Sequence, residues 1–98
     1  MHALSELMKV IGLTDELRGN AEQQCAAGLR SWIVEVQNGT WDNWDALKMY
    51  FPAVYQTSEN EAHFPLTPNG TGIHALIIFD KHTLILDRIA PAPTITKP

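Results

Sequence analysis

Gly72-Ile73-His74-Ala75-Leu76-Ile77-Ile78-Phe79, then Asp80-Lys81-His82, then Thr83-Leu84-Ile85-Leu86-Asp87-Arg88-Ile89: this stretch decides the fold. Two isoleucine-rich apolar runs of strand length, split by three polar residues, predict a β-hairpin at the centre of a sheet. With the polar residues as the loop, Phe79 pairs with Thr83. Counting back, His74 faces Arg88, and directly opposed residues point to the same side of a sheet. Both interrupt apolar runs, so each must reach a partner or water.

Upstream the pattern is helical. Leu4, Leu7, Met8 and Ile11 have helical spacing, with Ser5 as a cap and Gly12 as the end. Thr14 to Leu17 reads as a short turn broken by Gly19-Asn20. Ala21, Cys25, Leu29, Trp32 and Val36 form the strongest helical stripe, and Asn38-Gly39 predicts a left-handed stop after it. Thr40 or Asn43 caps a short third helix that carries Trp44, Leu47, Met49, Tyr50 and Phe51 and ends at Pro52.

Ala53 to Thr57 and Ala62 to Leu66 read as strands, and Pro65 suits an edge or a bulge. Asn69-Gly70 is a hairpin-type turn. The expected fold is therefore α+β: two or three N-terminal helices packed on one face of a C-terminal antiparallel sheet of three to five strands. Residues 1–90 make one domain, and 91–98, with three prolines in eight residues, make an extended tail without fixed structure unless it docks.

Composition limits function. The 98 residues are 45% hydrophobic and only 18% charged, which fits either an exposed apolar patch, and so a partner or a homodimer, or a domain that simply buries its apolar quota. A net charge of −4 and a pI near 5.4 argue against a protein whose main task is gripping nucleic acid. One cysteine, Cys25, excludes an internal disulfide. No apolar run reaches membrane-span length, and the N-terminus lacks a signal-peptide pattern, so a cytoplasmic protein is expected.

The histidines His2, His63, His74 and His82 have no metal-ligand spacing. No metal or cofactor is called for. The ordinary reading of His74 is an imidazole satisfied by a backbone carbonyl or by the neighbours of Asp87, and the chemical reading is a base. Arg88 reads either as an ion-pair partner or as a phosphate clamp. Trp41 and Trp44 flank a helix start, where one exposed ring would serve as a protein-interaction anchor. The alternative packs both rings under the loop after Gly39.

Leu29 and Trp32, Trp41 and Trp44, Leu47 with Tyr50-Phe51-Pro52, His63-Phe64-Pro65-Leu66, Asn69-Gly70 and the two final apolar runs together resemble the HigB toxin family. That family is a branch of the RelE-like ribonuclease toxins of toxin–antitoxin operons. Met1 to Ser5 is similar to its first strand and helix. The resemblance implies a RelE/HigB-like fold. It also implies, if the reaction is kept, cleavage of ribosome-associated messenger RNA with His74 as base and Arg88 as phosphate partner. The family's basic residue on the penultimate strand is matched here by His74. Its closing Thr-His-x-x-Tyr is matched by Pro91-Ala92-Pro93-Thr94-Ile95, so that His and Tyr are absent. Cleavage at a 2′-hydroxyl needs a base, a cation and an acid, and the third part has no obvious source.

The reading favoured by these departures is a protein of toxin–antitoxin or phage-derived setting that binds an antitoxin or a host protein. The residues expected to bind are Trp41, Trp44, Pro91, Pro93 and Ile95. The alternative is an active toxin on the ribosome.

Overall fold

The structure, a computed structural model, describes residues 7–92. Its elements run β1 (Lys9–Ile11), α1 (Asp15–Gln24), α2 (Ala26–Gln37), α3 (Trp44–Tyr50), β2 (Tyr55–Gln56), β3 (Glu61–Pro65), β4 (Gly72–Ile78) and β5 (Thr83–Ala90), with a 3-10 turn at Phe79–Lys81. The strands form one sheet in the order β1-β5-β4-β3-β2. All pairings are antiparallel except that of β1 with β5. The α+β class expected from the sequence is what the chain adopts.

Alternation along β4 builds the core. Ile73, Ala75 and Ile77 are fully buried and, by the two-residue strand period, share one face. Ala62 and Phe64 of β3 and Leu86 and Leu84 of β5 pair with them. Leu29, Trp32 and Val36 of α2 and Leu47 of α3 close the same cluster from above. The helices thus cover this face. The opposite face carries Ile11, Glu61, His63, His74, Leu76, Ile78, Ile85 and Arg88 by the same registers.

Five local expectations are corrected. The first helix is not formed at residues 9–11: Lys9–Ile11 is a strand, tied by Met8 N–H to Gly39 O (3.0 Å) and Lys9 N–H to His82 O (2.7 Å). Val10 pairs with Leu84; three residues are too few for periodicity to separate strand from helix. Leu4 and Ser5 lie outside the described residues.

Gly19-Asn20 does not break α1. Leu17 and Ala21 on either side are buried, and the Thr14 hydroxyl accepts from Leu17 N–H at 3.1 Å. That packing and capping outweigh a glycine cost of about 1 kcal/mol. The long stripe is instead split at Cys25 (φ −160°, ψ 37°), although all five of its residues are buried.

Asn38-Gly39 is not a left-handed stop. Among the described glycines only Gly12 and Gly70 have positive φ. Gly39 is required for space, because a Cβ there would overlap the Trp41 ring. Asn43, rather than Thr40, caps α3, accepting from Ala46 N–H at 2.9 Å.

Finally, β5 begins one residue earlier relative to β4 than expected. Ile78, not Phe79, pairs with Thr83. Phe79 enters the 3-10 turn, and His82 closes it in the left-handed conformation (φ 47°). Pro65 lies in a strand flanked by β2 and β4, but β2 pairs only with Ala62 and His63. At Pro65 the β3 edge is open, as a residue without an N–H requires.

Candidate functional site

The sheet face without helices carries the titratable cluster. His74 pairs with Arg88 across β4 and β5, while Ala75 pairs with Leu86. Asp87 is therefore an extra residue, a β-bulge. A bulge re-aims side chains, and here it brings the Asp87 and Arg88 side chains together beside His74.

Nδ1 of His74 lies 2.9 Å from Asp87 Oδ2. A carboxylate only accepts, so Nδ1 carries the proton and the neutral ring keeps Nε2 as acceptor. The Thr57 hydroxyl faces Nε2 at 3.4 Å, and Glu61 Oε1 lies 3.9 Å from it. Arg88 Nη1 donates to the same Asp87 Oδ2 and stands 3.5 Å from His74 Nδ1. His74 is only 7% exposed, whereas Arg88 is exposed. His74 and Arg88 thus come together, but through Asp87, and the site contains two carboxylates for one guanidinium.

His63 pairs with His74 on β3 and is buried. Its Nε2–H donates to the Gly70 carbonyl at 2.8 Å, which makes it structural. His82 reaches Asp42 at 2.9 Å from the hairpin turn. Among the described residues no group of His, Cys, Asp or Glu could hold a metal ion.

Trp41 is a core residue, 6% exposed, with ring contacts to Tyr50 at 5.1 Å and Phe51 at 5.4 Å. Its expected role as an exposed anchor is corrected by that burial: Gly39 leaves room for the ring. Trp44 is half-buried. Its indole N–H donates to Glu59 O at 3.0 Å, and its ring meets Phe79 edge-on at 5.4 Å. Pro91 is exposed; Pro93 and Ile95 lie outside the described residues.

Two perturbed groups stand apart from this cluster. The Glu35 carboxylate, with burial adding, raises the Tyr50 phenol above the ordinary tyrosine value. The Tyr50 hydroxyl donates to Glu35 Oε2 at 3.3 Å. Burial pushes the Cys25 thiol up, which removes thiolate and disfavours nucleophilic chemistry there.

Sequence reasoning missed Asp87, Thr57 and Glu61 as members of the cluster. Asp87 had no clear signal: it follows the continuous apolar run Leu84-Ile85-Leu86, so Asp87-Arg88 reads equally well as a polar strand end. Thr57 and Glu61 arrive only through the β2–β3 turn, where Thr57 N–H bonds Glu61 O at 2.9 Å. Among the described residues no helix is long and apolar enough to cross a membrane. Comparison of the chain with models of known protein families and with curated proteins finds no match.

Proposed function

We propose that this chain is a HigB/RelE-like protein of toxin–antitoxin or phage-derived setting that acts by binding another protein, an antitoxin or a host target. One observation carries the reading: carboxylates flank both nitrogens of the buried His74, Asp87 at 2.9 Å and Glu61 at 3.9 Å. A phosphodiester brought to this ring would meet like charge. Two unit charges about 4 Å apart near a protein surface repel by roughly 4 kcal/mol. Arg88 is paired with Asp87, so the three charged groups leave one net negative charge beside the ring, that of Glu61.

The open sheet face supports the same reading. Ile11 is 44% exposed, and the half-buried Leu76, Ile78 and Ile85 lie on its side of the sheet. Such an apolar row is what a protein partner covers.

A second reading, an active toxin cutting messenger RNA on the ribosome, is favoured by the cross-strand pairing of His74 with Arg88, a base beside a cation. Induced expression in a bacterial host, scoring growth and messenger RNA integrity, separates the two. Normal growth with intact RNA is expected. Rapid arrest with cleaved transcripts, abolished by His74→Ala or Arg88→Ala, would establish the second reading instead.

A further inference from the structure

Leu76, Ile78 and Ile85 lie on the sheet face that no described helix covers, and Ile11 stands beside them, 44% exposed. An antiparallel strand with one face in water alternates apolar and polar residues, whereas a strand covered on both faces reads apolar throughout. Ala75-Leu76-Ile77-Ile78 and Leu84-Ile85-Leu86 are of the second kind. The helices account for one side of these runs, which leaves the other side built for a cover of its own. The body measures 46 × 38 × 18 Å, and two stacked layers account for its short dimension. Its broad sides therefore have room for the roughly 800 Å² per subunit that a stable interface takes.

The order of residues across this face says what the cover is. One cross-strand row runs Ile11, Ile85, Leu76, Glu61 over β1, β5, β4 and β3. The next runs Lys9, Thr83, Ile78. A two-fold axis parallel to the strands, midway between β5 and β4, lays β1 of one copy over β3 of the other. Ile85 then meets Leu76 of the second copy, and the reverse contact is made at the same time. Lys9 comes to lie one same-face step from Glu61 of the second copy, about 7 Å along the strand, within reach of a lysine side chain.

The charges suit that arrangement. Lys9 is exposed, and among the described residues it makes no ion pair within its own chain. The Glu61 side chain is 38% exposed. Asp80, with Leu76 and Ile78, lines a hollow of ≈ 360 Å³ at the same side, which gives β1 side chains of the second copy a place to enter. A cation on one side of the axis and carboxylates on the other are what an isologous interface needs, because each contact is made twice. A partner of unrelated sequence is under no such condition. His74 and Arg88, one row further on, fall at the end of the interface, where a polar rim is usual.

We infer that two copies of the chain pack sheet to sheet through this face, helices outward, with Lys9 of each reaching Glu61 of the other. The sheets lie about 10 Å apart with strands aligned to within about 30°. This deepens the protein-binding reading, whose open face it gives to a second copy, and an antitoxin or host target would then meet the dimer.

The test is light scattering behind a sizing column, on the full chain at roughly 1 to 100 µM. A mass near twice 10.9 kDa is expected at the upper end, falling towards the single mass on dilution. Over the same range the methyl resonances of Ile11, Leu76, Ile78 and Ile85 should move, while those of Ile73 and Ile77, beneath the helices, should not. Ile85→Glu sets a carboxylate against Leu76 of the other copy and should weaken the dimer at least about tenfold. Should Ile85→Glu fail to fold, a charge exchange decides. Lys9→Glu should weaken the dimer about fivefold, and adding Glu61→Lys should restore it to within about twofold. Within one chain these positions lie three strands apart, about 14 Å, so recovery reports contact between copies.

A chain that keeps the single mass throughout, or a dimer that leaves those open-face methyls unmoved, overturns the inference. So does a double variant as weak as Lys9→Glu. A dimer that forms only after residues 1–6 or 93–98 are deleted also overturns it and gives the face to the chain's own segment. Cleavage of messenger RNA on expression would remove the protein-binding reading and leave the mass measurement unchanged. A single mass with intact messenger RNA would remove the dimer alone.

Discussion

Asp87 is the unpaired residue of a bulge in β5, and its Oδ2 sits 2.9 Å from Nδ1 of His74. The bulge rather than the regular ladder delivers the acceptor that a buried imidazole needs. Asp87→Ala should cost about 1–3 kcal/mol, because it leaves the Nδ1–H unpaired. Arg88→Ala, which removes only an exposed ion pair, should cost less than about 1 kcal/mol. Urea unfolding of the two variants checks the order.

Gly72 and Gly19 should respond to alanine with opposite signs. A Cβ on Gly72 would overlap the Phe64 carbonyl, whereas nothing lies within 4 Å of one on Gly19. Gly72→Ala should destabilise by about 3 kcal/mol or more, since backbone must move. Gly19→Ala, exposed in α1, should stabilise by up to about 1 kcal/mol. Thermal and denaturant midpoints are the readout.

The two side-chain caps are separable. Thr14 and Asn43 accept from Leu17 N–H and Ala46 N–H. Each change to alanine should cost about 1 kcal/mol. The caps belong to different helices and share no partner, so the double variant should sum to within about 0.5 kcal/mol. Denaturant midpoints of the single and double variants test this.

Tyr50 supplies a pH dependence of known sign. Its folded pKa is raised by Glu35, so the folded state favours the protonated phenol. This contribution is present below the ordinary tyrosine value and is lost as pH rises through the raised one. Glu35→Gln should bring the Tyr50 titration back towards the ordinary value, as followed by the shift of its ring resonances.

The terminal hairpin and the helical stripe from Ala21 to Val36 were legible because burial repeats along them at the strand and helix periods. His74 opposite Arg88 was also predicted, but from an incorrect register. The expected Phe79–Thr83 pair is off by one, and the bulge at Asp87 restores the offset before His74 is reached. Nothing in the apolar pattern announces a second irregularity that cancels a first. Of the two placements open for Trp41, an exposed anchor or a ring packed under the loop after Gly39, the sequence could not select the packed one, because its burial depends on the missing side chain of Gly39, a contact outside any helix. The β1 strand was hidden because, among the described residues, it pairs with β5, near the other end of the chain.

That parallel pairing sets the order in which the molecule can be completed. Lys9 meets Thr83, and almost the whole described chain lies between them. As the polypeptide leaves the ribosome, β1 and the helices emerge long before the strand that β1 must join. They wait as a partly assembled layer whose apolar side has no sheet to rest on. Closing so long a loop is slow compared with local helix formation. Until β5 arrives, the nascent chain exposes surface on which chaperones, or other copies of itself, can act.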